Sequence, residues 1–235
     1  MRKFDPIIQQ SIYYIGAITF LVLCFYDTSS ALLSYLLATI IGGPIVSGFY
    51  HRFVSHRSWE CPRWLEVSLL FLSAGYSLTP AIAWASVHKK HHRFVDTEKD
   101  PHGPVHSFWH NLKIGLWPVQ IKYAGRSVLR DDAYKAQYDY YWHINILFLI
   151  LSTVTVGWYV WFATVGYLYL TLVIVNMLGH DSDGNWRNSH LLSIPLAGEL
   201  YHKHHHENPG DPRFGLMDWP YYIMIRWFNG NNLDR

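Results

Sequence analysis

Three histidine clusters carry the chemistry legible in this sequence: His51-Arg-Phe-Val-Ser-His56, His88-Lys-Lys-His91-His92 and His202-Lys-His204-His205-His206. On a helix, residues at i, i+3 and i+4 share a face. His88, His91 and His92 therefore converge, as do His202, His205 and His206, each triplet forming a facial set of metal ligands. His204 falls about 200° round from His202 and points away. His51 and His56 are five apart and would diverge by about 140° on a regular helix, so the chain is expected to bend near one of them. Asn176 and His180, at i and i+4, add a fourth element. A first-row metal takes roughly four to six ligands, so nine imidazoles and one amide suggest two ions with positions left open for a small molecule. Taken singly, each ring has a bland reading as a satisfied polar group; the joint pattern does not. His102, His106 and His110 repeat every four residues, but Pro104 interrupts them, which assigns them to the surface or to support of the ligands. His143 neighbours Trp142 at an interface, and His190 lies in a polar loop.

The elements that must hold these rings are greasy. Half of the 235 residues are hydrophobic and only 15% are charged, against roughly 25% in soluble domains. A mean hydropathy of +0.02 then requires a polar portion that offsets long apolar runs, as in a membrane protein with a substantial aqueous part. The formal charge of +2 supplies no excess of phosphate-neutralising groups and excludes a nucleic-acid partner. Two separated cysteines, Cys24 and Cys61, exclude a disulfide framework.

A span needs about 20 apolar residues. Residues 7–26 and 31–50 meet this around a short polar turn, and 142–157 and 160–179 form a second pair around Gly157. All 19 Lys and Arg residues lie in 1–3, 52–135 or 187–235. By the positive-inside rule, both hairpin tips face away from the cytosol and both termini lie in it. Residues 65–87 are apolar enough to tempt a fifth span, but Glu66, Gly75 and Pro80 interrupt the run. A crossing there would also put nine basic residues on the wrong side. They are read as helices along the cytosolic interface. The expected architecture is an all-α integral membrane protein. It has four transmembrane helices in two hairpins and a cytosolic cap (51–141 and 180–235) holding a dimetal site. Residues 1–235 form one domain, and no processed leader is expected.

With these boxes placed, the sequence resembles the membrane-bound fatty acyl desaturases, in particular the Δ9 or stearoyl-CoA-like branch, from about residue 31 to 228. The resemblance rests on Gly48-Phe-Tyr-His-Arg-Phe-Val-Ser-His-Arg-Ser58, the run His88 to Asp100-Pro-His102, Asn176-x-x-x-His180, and Gly198-Glu-Leu-Tyr-His-Lys-His-His-His206. It implies two iron ions held by His51, His56, His88, His91, His92, His180, His202, His205 and His206, with Asn176 reaching a metal through water. It also implies O2 as co-substrate. The chain departs from the family pattern at Val87, where an acidic residue is common, at Lys203, where Asn is usual, and in a short connection from His180 to His202.

Removing hydrogen from two unactivated methylenes needs an oxidising metal and O2, because nothing acidifies those C–H bonds. The expected activity is insertion of a cis double bond, at Δ9, into a saturated acyl chain carried by CoA, acyl-carrier protein or a lipid ester. The alternatives are a related diiron hydroxylase and, in another class, a His-rich metal transporter or receptor, which would require ionisable residues within the spans. Glu199 is expected to orient His202, three residues on. Asp96 is a further candidate for that role, although Asp96, Glu98 and Asp100 read mainly as an exposed turn. Tyr35, Thr39 and Gly43 would line an acyl tunnel along the second span. Electrons would come from a separate cytochrome b5 or ferredoxin, docked near Lys89, Lys90, Arg93 and Lys203. The setting is the lipid bilayer of a bacterial inner membrane or endoplasmic reticulum.

Overall fold

The computed structural model describes residues 4–180 and 187–228. Arg2 and Lys3, used in the charge argument, and the first part of the His180–His202 connection lie outside the described residues. Helix α1 (Pro6–Tyr26) starts with proline at its first position, and the Asp5 carboxylate accepts from the Ile7 and Ile8 amides. Both features satisfy or remove orphan N–H groups. Asp27 ends it and caps the next helix by accepting from the Ser30 amide. That helix, α2 (Thr28–Ser55), is continuous but changes winding: it is α-helical to Leu37 and π-helical over Ala38–Gly42 and Pro44–Ser55. Pro44 supplies a cause, because it has no N–H to return to the preceding turn.

Two shorter helices replace the apolar run at 65–87: α3 (Arg63–Gly75) and α4 (Ala81–Phe94). Neither is long enough to span, as expected. Glu66 sits buried inside that run because Arg63 (2.9 Å), Arg57 (3.4 Å) and the Tyr134 hydroxyl (2.9 Å) surround its carboxylate. The turn between α3 and α4 holds Ser77 and Thr79 at positive φ. A buried polar network secures it. Gln9 Nε2 donates to the Ser77 carbonyl (2.9 Å), Tyr141 Oη accepts from the Thr79 amide (2.9 Å), and Gln137 Oε1 accepts from the Ala81 amide (3.0 Å). The first turn of α4 is thereby tied to α1 and to α5 (Asp132–Thr155).

Helix α6 (Trp158–Leu178) packs along α1. The crossing is close because Gly16 and Gly166 face one another, and a Cβ on Gly166 would strike the Gly16 carbonyl. Tyr13 and Tyr169 stack beside it at 5.1 Å.

Among the described residues, three helices are long and apolar enough to cross a membrane: α1, α2 and α6. The expected span at 142–157 is the end of a helix that begins ten residues earlier. Asp132, Lys135, Gln137 and Asp139 in its first turns, and His143 and Asn145 after them, dilute the apolar character of this rod of 24 residues, about 36 Å at 1.5 Å per residue. The other boundaries fall within a few residues of those read from hydropathy, except that α2 runs on to Ser55 and carries the first histidine box with it.

Gly166→Val should lower the thermal midpoint in detergent by the equivalent of about 1–3 kcal/mol or more, since the added methyls meet backbone that cannot repack. An unchanged midpoint would mean that the α1–α6 crossing is looser than described.

Candidate metal centre

The π-helical winding resolves the problem of the first box. Bonding from i to i+5 brings residues five apart onto one side, so His51, within the helix, and His56, its C-cap, lie with ring centroids 5.6 Å apart. The divergence expected for a regular helix does not occur. Arg52, between them, is fully buried. It donates to Asp218 Oδ1 (2.8 Å) and Ser47 Oγ (3.0 Å) and lies 3.8 Å from the Phe214 ring centroid. These contacts clamp the C-terminal segment over the box.

Nine imidazoles gather in two groups. His51, His56, His88, His92 and His205 form one, and His91, His180, His202 and His206 the other, with the nitrogens of each group within 4.8 Å of one another. Each triplet is thus split rather than serving one group. His88 and His92, one turn apart on α4, face the first group while His91 faces the second. On helix α7 (His202–Glu207), His202 and His206 face the second group and His205 the first. The triplets straddle the gap between the two groups because the helices carrying them pass on either side of it. His204 points away, as expected, and pairs with Asp211 at 2.9 Å.

The nitrogens are spaced as ligands of one ion would be. His205 Nε2 lies 2.8 Å from the Nε2 atoms of both His51 and His92, and His56 and His88 meet at 2.8 Å. In the second group, His202 Nε2 is 2.8 Å from His180 and 3.0 Å from His206, and His206 is 3.2 Å from His91. Metal–nitrogen bonds of about 2.0–2.1 Å place neighbouring ligand nitrogens about 2.9 Å apart at right angles and about 3.3 Å apart in a tetrahedron. A hydrogen-bonded web fits less well. A neutral imidazole has a single N–H, and in three of these rings a carboxylate takes it.

Those carboxylates are Glu199 on His51 Nδ1 (2.6 Å), Asp100 on His91 Nδ1 (2.8 Å) and Asp96 on His180 Nδ1 (3.1 Å). Accepting the Nδ1 proton leaves the Nε2 lone pair bare and aims the ring. Glu199 therefore acts on His51 rather than on His202. It precedes α7, in the turn 194–200, so helical spacing does not apply to it. Asp100, expected in an exposed turn, is buried with His102, whose ring stacks on His91 at 4.0 Å and on Trp117 at 4.7 Å. His106 and His110 donate to the carbonyls of Asp100 and Pro101 (2.6 and 2.9 Å), so this histidine repeat braces the acidic turn. The signal in the sequence was the Asp100-Pro-His102 run itself.

Burial holds seven of these rings neutral. It pushes His92 down to about 3 and His206 and His56 to about 2, with neighbouring rings adding to the effect, and it holds His88, His91, His202 and His205 well below the usual histidine range. Burial also pushes Asp100 up to about 7.

A cavity of about 80 Å³ adjoins the rings of His51, His88, His91 and His202. Asn176 and Glu199 also border it, and Ala83, Trp84, Val87, Trp117, Leu172 and Val175 give it apolar walls. Val87, where the family pattern favours an acid, adds to the apolar wall. A smaller cavity of about 20 Å³ touches Thr39, Gly43 and Tyr167 and shares Leu172, Val175 and Glu199 with the first. Tyr35 borders neither; its ring meets Tyr167 edge-on at 5.2 Å.

A profile of the fatty acid desaturase family matches residues 30–223. The chain belongs to that family. It is 32% identical over 222 residues to Delta-9 acyl-lipid desaturase 2 of Arabidopsis thaliana, covering 87% of this chain and 72% of the relative. It is 27% identical over 232 residues to the sn-1 stearoyl-lipid 9-desaturase of Anabaena variabilis, covering 91% and 84%. A relative of the same description from Synechocystis is 27% identical over 237 residues, covering 92% and 72%. This desaturase is thus an oxidoreductase acting on fatty acyl chains, of the Δ9-like kind, and its histidine clusters are compatible with the metal chemistry general to the family.

Metal-free protein should lose stability as pH falls below about 6.5. The unfolded rings take up protons there and the buried ones do not until about 2–3, so the unfolded state binds more protons. Each such ring contributes about 1.4 kcal/mol per pH unit. Asp100 acts in the opposite sense, because its raised value lets the folded state hold a proton between about 7 and 4. A chemical-denaturation series from pH 7.5 to 5.5 should therefore show falling stability; a flat profile would mean that the rings are wet.

Proposed function

We propose that this desaturase inserts a cis double bond at the Δ9 position of a saturated acyl chain, using two iron ions. One ion would be held by His51, His56, His88, His92 and His205. The other would be held by His91, His180, His202 and His206, with Asn176 reaching it through water. The observation that carries this reading is the convergence of nine imidazoles in two sets with ligand-like spacing, four of them bordering an apolar cavity. Bound iron with O2 would supply the oxidising power for the two C–H bonds. The chain's own groups do the rest. Glu199, Asp100 and Asp96 hold the Nδ1 protons of three rings and keep their Nε2 lone pairs directed inward. Ala83, Trp84, Val87, Leu172 and Val175 give the methylenes an apolar surface and exclude water from the reacting carbons.

We read the carrier as a lipid ester, in line with the names of the plant acyl-lipid and cyanobacterial stearoyl-lipid relatives. Electrons would come from a separate cytochrome b5 or ferredoxin, for which Lys89, Lys90 and Arg93 beside the second box offer a positive surface for an acidic carrier. Four spans, with α5 as the fourth, and a cytosolic metal centre fit the distribution of cations.

Expression in a host that lacks Δ9 unsaturation, followed by fatty-acid methyl ester profiling, should yield a new cis-Δ9 product that His91→Ala abolishes. A product that gains one oxygen instead of losing two hydrogens would favour the hydroxylase. His88→Ala should lower bound iron from about two to about one per chain by elemental analysis if each group holds one ion. Tyr35→Ala, by freeing Tyr167 beside the smaller cavity, should extend the profile to longer chains; an unchanged profile would remove that cavity from the acyl path.

A further inference from the structure

The segment from Val105 to Lys122 contains no helix longer than four residues, yet it has two apolar faces. Its inner face, through Ile114, Gly115, Trp117 and Val119, walls the larger cavity. Its outer face leaves Trp109 70% exposed, Phe108 49%, Val105 46% and Leu116 41%. Bare tryptophan and phenylalanine on a connecting segment are costly in water and favourable at a bilayer interface.

The depth of the segment is set by hydrogen bonds. Gln10 Oε1 accepts from the Gly115 amide (2.8 Å), while Gln10 Nε2 and the Tyr169 hydroxyl both donate to the Leu112 carbonyl (3.1 and 2.8 Å). Position 10 is four residues inside the first helix, about 6 Å from its start. Ile7, Ile8 and Ile15 of that helix already face outward at this level. Residues 112–115 are therefore fastened to the first turns of α1, and the exposed isoleucines there and the exposed side chains of the segment would enter an interfacial layer of about 5–10 Å together. Lys113 and Lys122, both exposed, can carry their ammonium groups outward to lipid phosphates while their stems remain in the apolar layer.

We propose that residues 105–122 form a membrane-seated partition between the leaflet and the catalytic cavity, through which the acyl chain of a membrane lipid reaches the metal centre from the side. The route rests on the desaturase reading; the seating in the membrane does not.

The test uses full-length protein in phosphatidylcholine–phosphatidylglycerol vesicles. A nitroxide is placed at Trp109→Cys in a Cys24→Ser/Cys61→Ala background, with Ser127→Cys as a reference on the cap. The label at 109 should collide with O2 more than with a water-soluble nickel complex, and the label at 127 should do the reverse. Water-like collisions at 109 would overturn the proposal. Stearoyl phosphatidylcholine carrying a mid-chain diazirine should, on irradiation, give adducts within 112–119. Adducts confined to the outer faces of α1, α2 and α6 would overturn the route. Should no unsaturated product form in the expression test while both probes behave as expected, the desaturase reading fails and the membrane seating stands.

Discussion

The structure depends on gathering nine imidazoles, five buried and four half-buried, into two sets whose nitrogens lie within 4.8 Å of one another. Such an arrangement is unfavourable on its own. Each ring brings polar nitrogens into a desolvated place, and bare nitrogens about 3 Å apart repel unless a proton or a cation lies between them. It persists only if surrounding elements hold the rings rigidly and if their protons are disposed of on the outer side. Glu199, Asp100 and Asp96 dispose of three of them. The buried Nδ1 atoms of His202 and His205 find no hydrogen-bond partner among the described residues, so packing contributes most to the aim of those rings.

Rigidity comes from polar contacts placed where apolar packing alone would leave freedom. Arg52 and Asp218 form a fully buried ion pair that draws the C-terminal segment onto the first box. Asp218 also accepts from the Phe214 amide at 2.7 Å. Removing one member of such a pair leaves an uncompensated buried charge, so the pair is a constraint on geometry more than a source of net stability. The Gln9–Tyr141–Thr79 and Gln137–Tyr50 contacts do the same for the start of α4, which must present three histidines to two different groups. An apolar core permits small slips of one helix along another, whereas directed hydrogen bonds at the start of α4 do not.

The histidine groups and the cavity sit at one end of the apolar helices, where α2 ends at His51 and His56 and α6 ends beside His180. That placement reconciles two demands. The acyl chain needs a dry apolar wall, which α4, α6 and residues 114–119 supply, and the ligands need carboxylates and backbone carbonyls, which the turn at 96–102 and the connection before α7 supply. Val87 and Trp117 lie where the two environments meet.

Much of this was legible in the sequence, and the limit was physical. Residue type and short-range periodicity identified the histidine boxes, the apolar stretches that became α1, α2 and α6, the break at Gly157 and the outward aim of His204, since each depends on neighbours within one or two turns. Whether His51 and His56 share a side could not be read that way, because it depends on a change of helical winding next to Pro44. Nor could the division of each triplet between two groups, the pairing of Glu199 with His51 across 148 residues, or the burial of Asp100 and His102. Local spacing determined which rings could act together; the crossing of distant helices decided which rings do, because convergence on one point is set by where the backbones pass and not by the order of residues along them.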